Sequence, residues 1–359
     1  KGFGLPTPER QDAIFAYNFY RMIGHARHVW LLTDSTADQL HTGEPSRYLH
    51  QLQYQYHANI RKESSVYPLS SSQHAERKIE KTPVVMQQIE DYAHRRGFSP
   101  TAINHYLKCP FLFYWRDIMH VEESQQIEDE MQENDFGTMI HSVLEQFYKP
   151  YLHQTLNQLP DKAPAYAMLD NMLKDDASAV IRDVAYAYLD ILFQMDEYAL
   201  PFEVQAVEEK YIQSFRLQDG SQVKLQGKID RIDICNQHTR LIDYKTGDAK
   251  TEYPDIASLF NPDDAQRNQY ALQTILYCLL YNKDNSAPHI YAVRRGALAD
   301  TMIHKKGEES FDFSAIKEEF VMHLQLLLGE IMNPEKAFER RWDDQKCKNC
   351  AFSKLCSIG

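Results

Sequence analysis

Residues 227–247, GKIDRIDICNQHTRLIDYKTG, read as two short apolar strands joined by a polar turn, yet they carry three aspartates, two lysines and two arginines. Strand residues i and i+2 share a face, so Asp243 and Lys245 point the same way, about 7 Å apart along the strand. If Cys235–His238 closes the turn, Asp230 falls opposite Asp243 on the neighbouring strand, at a cross-strand separation of about 5 Å. Two carboxylates at that distance repel by roughly 3 kcal/mol at an effective dielectric of 20, and a divalent cation between them reverses the sign. An isolated Asp-x-Lys is more often an ion pair on a solvated face. The opposing Asp230 and the buried-looking LID before the motif favour a metal site. Oxygen ligands suit Mg²⁺ or Mn²⁺, and a hard metal beside a lysine can polarise a phosphodiester and stabilise the charge of its hydrolysis.

The rest of the chain frames that hairpin. Its 359 residues give a soft expectation of two domains, and 43% apolar content is ample for buried cores. A net charge of −12 argues against coating nucleic acid by bulk attraction, so a polyanion would be held by local basic strips or by metal. No apolar run of about 18 residues marks a membrane span, and residues 1–10 lack the apolar stretch of a signal peptide. A cytoplasmic setting is expected. The chain opens at KGFGLPTPER without Met, which reads as a piece of a longer protein.

Residues 12–33 begin with helical periodicity and end in the strand-like HVWLLT; a serine-, proline- and charge-rich stretch then reads as an extended linker with short helical pieces. Ser99-Pro100 marks a helix start, and FGTMIHSVLEQFYKPYL carries apolar residues near the 3.6 period. Residues 163–199 read as further helices. From about Phe202 the period becomes 2, with Asp219-Gly220 as a hairpin turn. A last pair of helices, roughly 264–281 and 314–332, frames a strand at PHIYAVR. The expected class is α/β (α+β), a mixed central sheet flanked by helices. The segments are a first region over 1–65, a linker over 66–97 and a domain over 98–359.

The hairpin's motif, GKIDRID and then LIDYKTG, resembles the RecB-like branch of the PD-(D/E)XK nucleases, whose fold is restriction-endonuclease-like. The resemblance implies Asp230 and Asp243 as metal ligands, with the Tyr244 backbone carbonyl joining them, and Lys245 as the catalytic lysine. FGTMIHSVLEQF resembles the family's G-x-x-x-H-x-x-L-E helix, which gives His141 a metal-ligand or phosphate-contact role. QYALQTILYCLLY resembles its Q-x-x-x-Y motif, with Gln273 and Tyr277 one helical turn apart. A lone helical histidine is more often a satisfied core residue, but four motifs in the right order over some 140 residues outweigh that reading. The activity implied by the resemblance is that of an Mg²⁺-dependent, exonuclease-like DNA nuclease. The alternatives are a non-cleaving DNA-binding scaffold and a zinc-stapled RNA nuclease.

Cys347, Cys350 and Cys356 stand as C-x2-C-x5-C, with Cys109 more than two hundred residues upstream. Alone, the triplet could be half a zinc site. AddB-like helicase–nucleases hold a [4Fe–4S] cluster with this one-plus-three spacing, so the resemblance implies a cluster on Cys109, Cys347, Cys350 and Cys356 that staples the tail to the start of the domain. Cys235 and Cys278 fall outside the pattern.

AIFAYNFYRMIGHARHVWLLTDS resembles the last helicase motif of UvrD-like enzymes, but Gly24 and His25 stand where the threonine and ATP-sensing arginine would be. No G-x-x-x-x-G-K-[ST] phosphate loop occurs in the chain. Residues 1–65 are therefore read as a helicase-domain remnant, or else as an ordinary α/β fragment, and no ATPase activity is expected of this chain alone. The implied setting is a recombination machine with DNA and a helicase–nuclease partner subunit.

Overall fold

The computed structural model describes residues 8–31, 46–63, 78–121, 133–173, 179–283, 285–341, 343, 347, 350–353 and 356. The chain divides into two units, Lys1–Gln73 and His74–Gly359. In the first, helix α1 (Pro8–Gly24) and the short helix α2 (Arg47–His50) are held by aromatic contacts: Phe19 stacks on Tyr48 at 5.0 Å, and Tyr20 donates to Gln51 at 2.7 Å. The strand expected at HVWLLT does not form over its described residues, 28–31. A strand needs a neighbour to satisfy its N–H and C=O groups, none is paired there among the described residues, and Trp30 is left 85% exposed.

The second unit begins with strand β1 (Lys78–Ile79) and helix α3 (Pro83–Asp91), which fall within the stretch 66–97. Thr82 caps α3, accepting from the Val85 N–H, and Pro83 occupies its first turn. Val85, Met86, Ile89 and Ala93 recur at helical spacing against the core, where Ile89 and Ala93 are fully buried. The lysines and glutamates around them hid that stripe. Lys81 is not a solvated charge: its ammonium caps the C-terminal carbonyls of the last helix, donating to Glu330, Ile331 and Asn333 at 3.0, 2.6 and 2.9 Å.

Helices α4 (Pro100–Lys108), α5 (Pro110–Phe113) and α6 (Glu133–Tyr148) come next, then β2 (Thr155–Leu156), α7 (Ala163–Met172) and α8 (Ala179–Ala199). Ser99 caps α4 as its sequence predicts, accepting from the Ala102 N–H at 3.1 Å. Strands β3 (Phe202–Arg216), β4 (Gln222–Cys235) and β5 (His238–Lys245) form an antiparallel meander. The chain continues through β6 (Glu252–Tyr253), α9 (Ile256–Phe260), α10 (Gln269–Tyr281), β7 (Ser286–Ala292), β8 (His304–Lys305), α11 (Phe313–Met332) and β9 (Phe338–Glu339). The sheet order is β2-β3-β4-β5-β7, with β7 parallel to β5, and β1 pairs with β9. Helices cover both faces. Residues of α6, α7 and α8 build one core with Ile242, Tyr244 and Tyr291; residues of α3, α4, α10 and α11 build the other with Leu225, Ile229, Ile232 and Leu241. A five-stranded mixed sheet flanked by helices is the α/β architecture expected.

Candidate active site

Three carboxylates stand side by side across the meander. The β4–β5 ladder runs from Cys235↔His238 to Arg231↔Ile242, and its next step sets Asp230 beside Asp243. The β3–β4 register places Val207 opposite Arg231 and Glu209 opposite Ile229, so Glu208 stands across from Asp230 on the other side. Strand alternation slips here. Ile229 and Ile232 both enter the α10-side core while Arg231 is buried on the other face, and Glu208 takes a left-handed backbone with φ 51°. Asp230, at the slip, turns its carboxylate to accept the Tyr244 N–H at 2.8 Å.

Arg231 forms the floor under the motif. Its guanidinium is fully buried and makes a paired bond with Asp196 at 2.8 and 2.5 Å. The Tyr148, Phe202, Tyr244 and Tyr291 rings surround it, with centroids 4.8–5.7 Å away. A buried charge so paired and caged holds one geometry. Tyr244 is thereby fixed by its ring on one side while its carbonyl faces His141.

His141 descends from α6, whose Ile140, Val143, Leu144 and Phe147 are buried in the core. Its Nε2 lies 3.1 Å from the Tyr244 carbonyl and its Nδ1 3.3 Å from Glu208. Both partners are acceptors, so both ring nitrogens donate. Burial works against that charged imidazolium, but the hydrogen bonds to Asp230 and Glu208 outweigh it and raise its pKa to about 10. His141, Glu208 and Asp230 each offer a ligand atom within 4.8 Å of the others. These acceptors demand positive charge, and Lys228 also binds Glu208. Asp230, Asp243, the Tyr244 carbonyl and one imidazole are a donor set that fits Mg²⁺ or Mn²⁺.

Asp243 and Lys245 share a face as the period-2 pattern requires, with Nζ 2.6 Å from the carboxylate. Burial pushes Asp243 up to about 6 in spite of Lys245, and the Asp230 charge adds to that rise. Burial acts against the Lys245 ammonium, yet the Asp243 and Asp230 carboxylates prevail and raise its pKa, so it stays a cation. From α10, Gln273 donates to Asp243 at 2.9 Å and to the Tyr277 hydroxyl at 2.8 Å. An open groove of about 660 Å³ lies over these groups, lined among others by Gly137, His141, Glu208, Lys228, Lys245 and Tyr270.

Every site residue named from the hairpin, the α6 histidine and the α10 pair therefore sits in one neighbourhood. Glu208 was missed. Its signal was the pair Glu208-Glu209 in a strand, but which of the two meets Asp230 depends on the hairpin loop. Leu217 donates to Ser221 across three intervening residues, with Gly220 left-handed at φ 88°. That three-residue loop puts Glu208 opposite Asp230, whereas a two-residue turn would have put Glu209 there.

A second constellation lies apart from the groove. Cys109, at the end of α4, lines one cavity together with Cys347, Cys350 and Cys356, beside Arg340 and Arg341. None of the four is in a disulfide. Burial raises the Cys356 thiol, and Cys109 and Cys350 are close enough to raise it further. Four thiols around one cavity, with arginines to balance thiolate charge, fit a metal–sulfur group.

Residues 97–357 match the profile of the PD-(D/E)XK nuclease superfamily. An uncharacterized protein of Rickettsia felis is 29% identical over 181 residues, covering 45% of this chain and 20% of that protein. A subunit of the ATP-dependent helicase/deoxyribonuclease of Clostridium perfringens is 24% identical over 271 residues, covering 66% of this chain and 22% of that relative. Its counterpart in Clostridium acetobutylicum is 22% identical over 263 residues, with 64% and 21% covered. The chain thus spans about a fifth of the length of these relatives. Among the described residues, no helix is long and apolar enough to cross a membrane.

Proposed function

Because the chain belongs to the PD-(D/E)XK nuclease superfamily, we propose that it hydrolyses DNA phosphodiester bonds with a divalent cation, Mg²⁺ or Mn²⁺, acting at strand ends. The observation that carries this reading is that His141 and Lys245 line an open groove while contacting the buried carboxylates Asp230 and Asp243 behind it. Asp230, Asp243, the Tyr244 carbonyl and His141 Nε2, once the cation has displaced the Nε2 proton, would hold the cation. When bound, it would polarise the phosphate and make a water molecule more acidic. Lys245, kept charged by its two carboxylate neighbours, would hold a non-bridging phosphate oxygen and offset charge that grows there in the transition state. Gln273 would keep the Asp243 carboxylate from rotating, and the buried Tyr277 would fix Gln273 in turn. Glu208 would accept from His141 Nδ1 and so set the ring's orientation toward the cation.

The length of the deoxyribonuclease relatives supports a place inside a larger helicase–nuclease assembly that processes double-strand breaks, with a partner subunit contributing other activities. In that setting Cys109, Cys347, Cys350 and Cys356 would carry a [4Fe–4S] cluster, and this chain alone would neither bind nor hydrolyse ATP, since it has no phosphate loop.

The test is cleavage of end-labelled DNA by the purified chain with and without Mg²⁺. Cleavage that needs the metal and disappears in both Asp243→Ala and Lys245→Ala, at unchanged thermal stability, is expected. Unchanged cleavage by both variants would refute the assignment. DNA binding without cleavage under either metal would turn the reading to a non-cleaving scaffold.

A further inference from the structure

Tyr270 has no part in the proposed hydrolysis, yet its place is unusual. It opens α10 one turn before Gln273 and two turns before Tyr277, so the three share one helical stripe. Along that stripe the innermost residue is the buried one. Tyr277 is buried at 4% exposure, Gln273 is half-buried against Asp243, and Tyr270 is half-buried and lines the groove. The Lys245 ammonium sits 5.8 Å from the Tyr270 ring centroid.

The helix turn that carries the ring is held firmly. Asn268, 4% exposed, caps the helix by accepting from the N–H groups of Tyr270 and Ala271 at 3.0 and 3.1 Å. The same side chain donates to the Lys250 and Glu252 carbonyls at 2.8 and 3.0 Å, which ties the first turn of α10 to the segment after the catalytic hairpin. An aromatic ring on an anchored helix turn, beside the lysine that would hold a phosphate and open to a groove, is the arrangement by which proteins hold a base without reading its identity.

We propose that Tyr270 is a stacking platform for one unpaired nucleobase, that of a nucleotide joined to the phosphate held at Lys245. The inference rests on the nuclease reading and deepens it by naming the substrate state. A base inside a duplex has both faces covered by its neighbours and is held by its pairing partner, so a frayed or single-stranded end, whose bases are free to turn out, places one on Tyr270 at least cost. The site therefore selects unpaired ends.

The experiment uses single-stranded oligodeoxynucleotides carrying 2-aminopurine at successive positions from the labelled end, bound by the full chain in Ca²⁺ and cleaved in Mg²⁺. One position should show strong fluorescence quenching by the wild type. Tyr270→Ala should abolish that quenching and weaken binding roughly five- to hundredfold. Tyr270→Phe should restore both, and Tyr270→Leu, which keeps apolar bulk in case the alanine variant unfolds, should not. An abasic nucleotide at the quenched position should bring wild type and Tyr270→Ala to the same affinity. Equal binding by folded Tyr270→Leu and wild type, or a difference that persists on the abasic strand, would overturn the proposal. Absence of cleavage by the wild type in Mg²⁺ and Mn²⁺ would instead strike the nuclease reading, because quenching is measured independently of hydrolysis.

Discussion

Gln273 on α10 donates to the Asp243 carboxylate of β5 at 2.9 Å, joining a helix that starts some 25 residues later to the strand end where the acidic groups gather. The same amide group donates to Tyr277 at 2.8 Å, and Tyr277 is almost wholly buried. The Q-x-x-x-Y spacing is thus explained by geometry: one residue grips the carboxylate and the other, one turn deeper, grips the first. Replacing Gln273 with Ala should leave the fold intact and lower metal-dependent cleavage about 10- to 100-fold, the usual cost of losing a residue that orients a metal ligand. Tyr277→Phe should do less, since Gln273 keeps its bond to Asp243. Kinetics on end-labelled DNA, at protein concentrations matched by thermal melting, would check both.

Gly227, the first residue of the hairpin motif, lies where α10 crosses β4. A methyl group there would come within 2.6 Å of Leu280 and 3.1 Å of the Tyr277 ring. The glycine is required by that close approach, not by its backbone angle. Gly227→Ala should push α10 off the sheet, costing about 1–3 kcal/mol of stability as overpacked cores do. Because α10 carries Gln273, cleavage should fall as well. A melting shift without any loss of activity would mean that α10 moves as a rigid body without disturbing Asp243.

Much of this was legible because period and charge disagreed. In 227–247 an alternating apolar pattern was interrupted by Asp230, Asp243 and Lys245, and charge in a buried strand needs a partner, which facing carboxylates find in a cation. The helices at 163–199 and the hairpin around Gly220 likewise announced themselves by period and turn chemistry. Residues 78–97 did not, because α3 is short and its apolar stripe is masked by lysines, one of which, Lys81, is buried as a helix cap. HVWLLT misled in the opposite way, being apolar enough for a strand with no described neighbour to pair with. Glu208 was hidden by parity, since a change of one residue in the loop would exchange it for Glu209.

Glu208 bonds His141 and Lys228 and stands across from Asp230, so its charge is held among two cations and a carboxylate. Glu208→Gln keeps the shape and removes the charge. The variant should bind Mn²⁺ about 10- to 100-fold more weakly by calorimetry, because His141 loses the carboxylate that fixes its ring. Glu209→Gln, one residue on and exposed, should bind as the wild type does. Equal Mn²⁺ affinity in the two variants would remove Glu208 from the metal's surroundings and leave it a structural partner of Lys228.

The four cysteines make the longest-range prediction. Cys109 ends α4, while Cys347, Cys350 and Cys356 lie in a tail reached only after α11 and β9. A group bound to all four would close a loop of some 240 residues, which removes about 5 kcal/mol of unfolded-chain entropy, (3/2)RT ln n, before any strain. Protein purified without oxygen should therefore be brown, contain iron and sulfide, and melt well above the same chain stripped of its metal. Cys109→Ser should lose the cluster and most of that stabilisation, since Cys109 is the sole thiol of the set outside the tail. Stoichiometric zinc with no iron, in protein never exposed to air, would make the staple a zinc site and leave the loop-closure argument standing. Cys109→Ser with full cluster content and an unchanged melting temperature would break the link between α4 and the tail. It would also leave the C-x2-C-x5-C triplet to find its fourth ligand elsewhere.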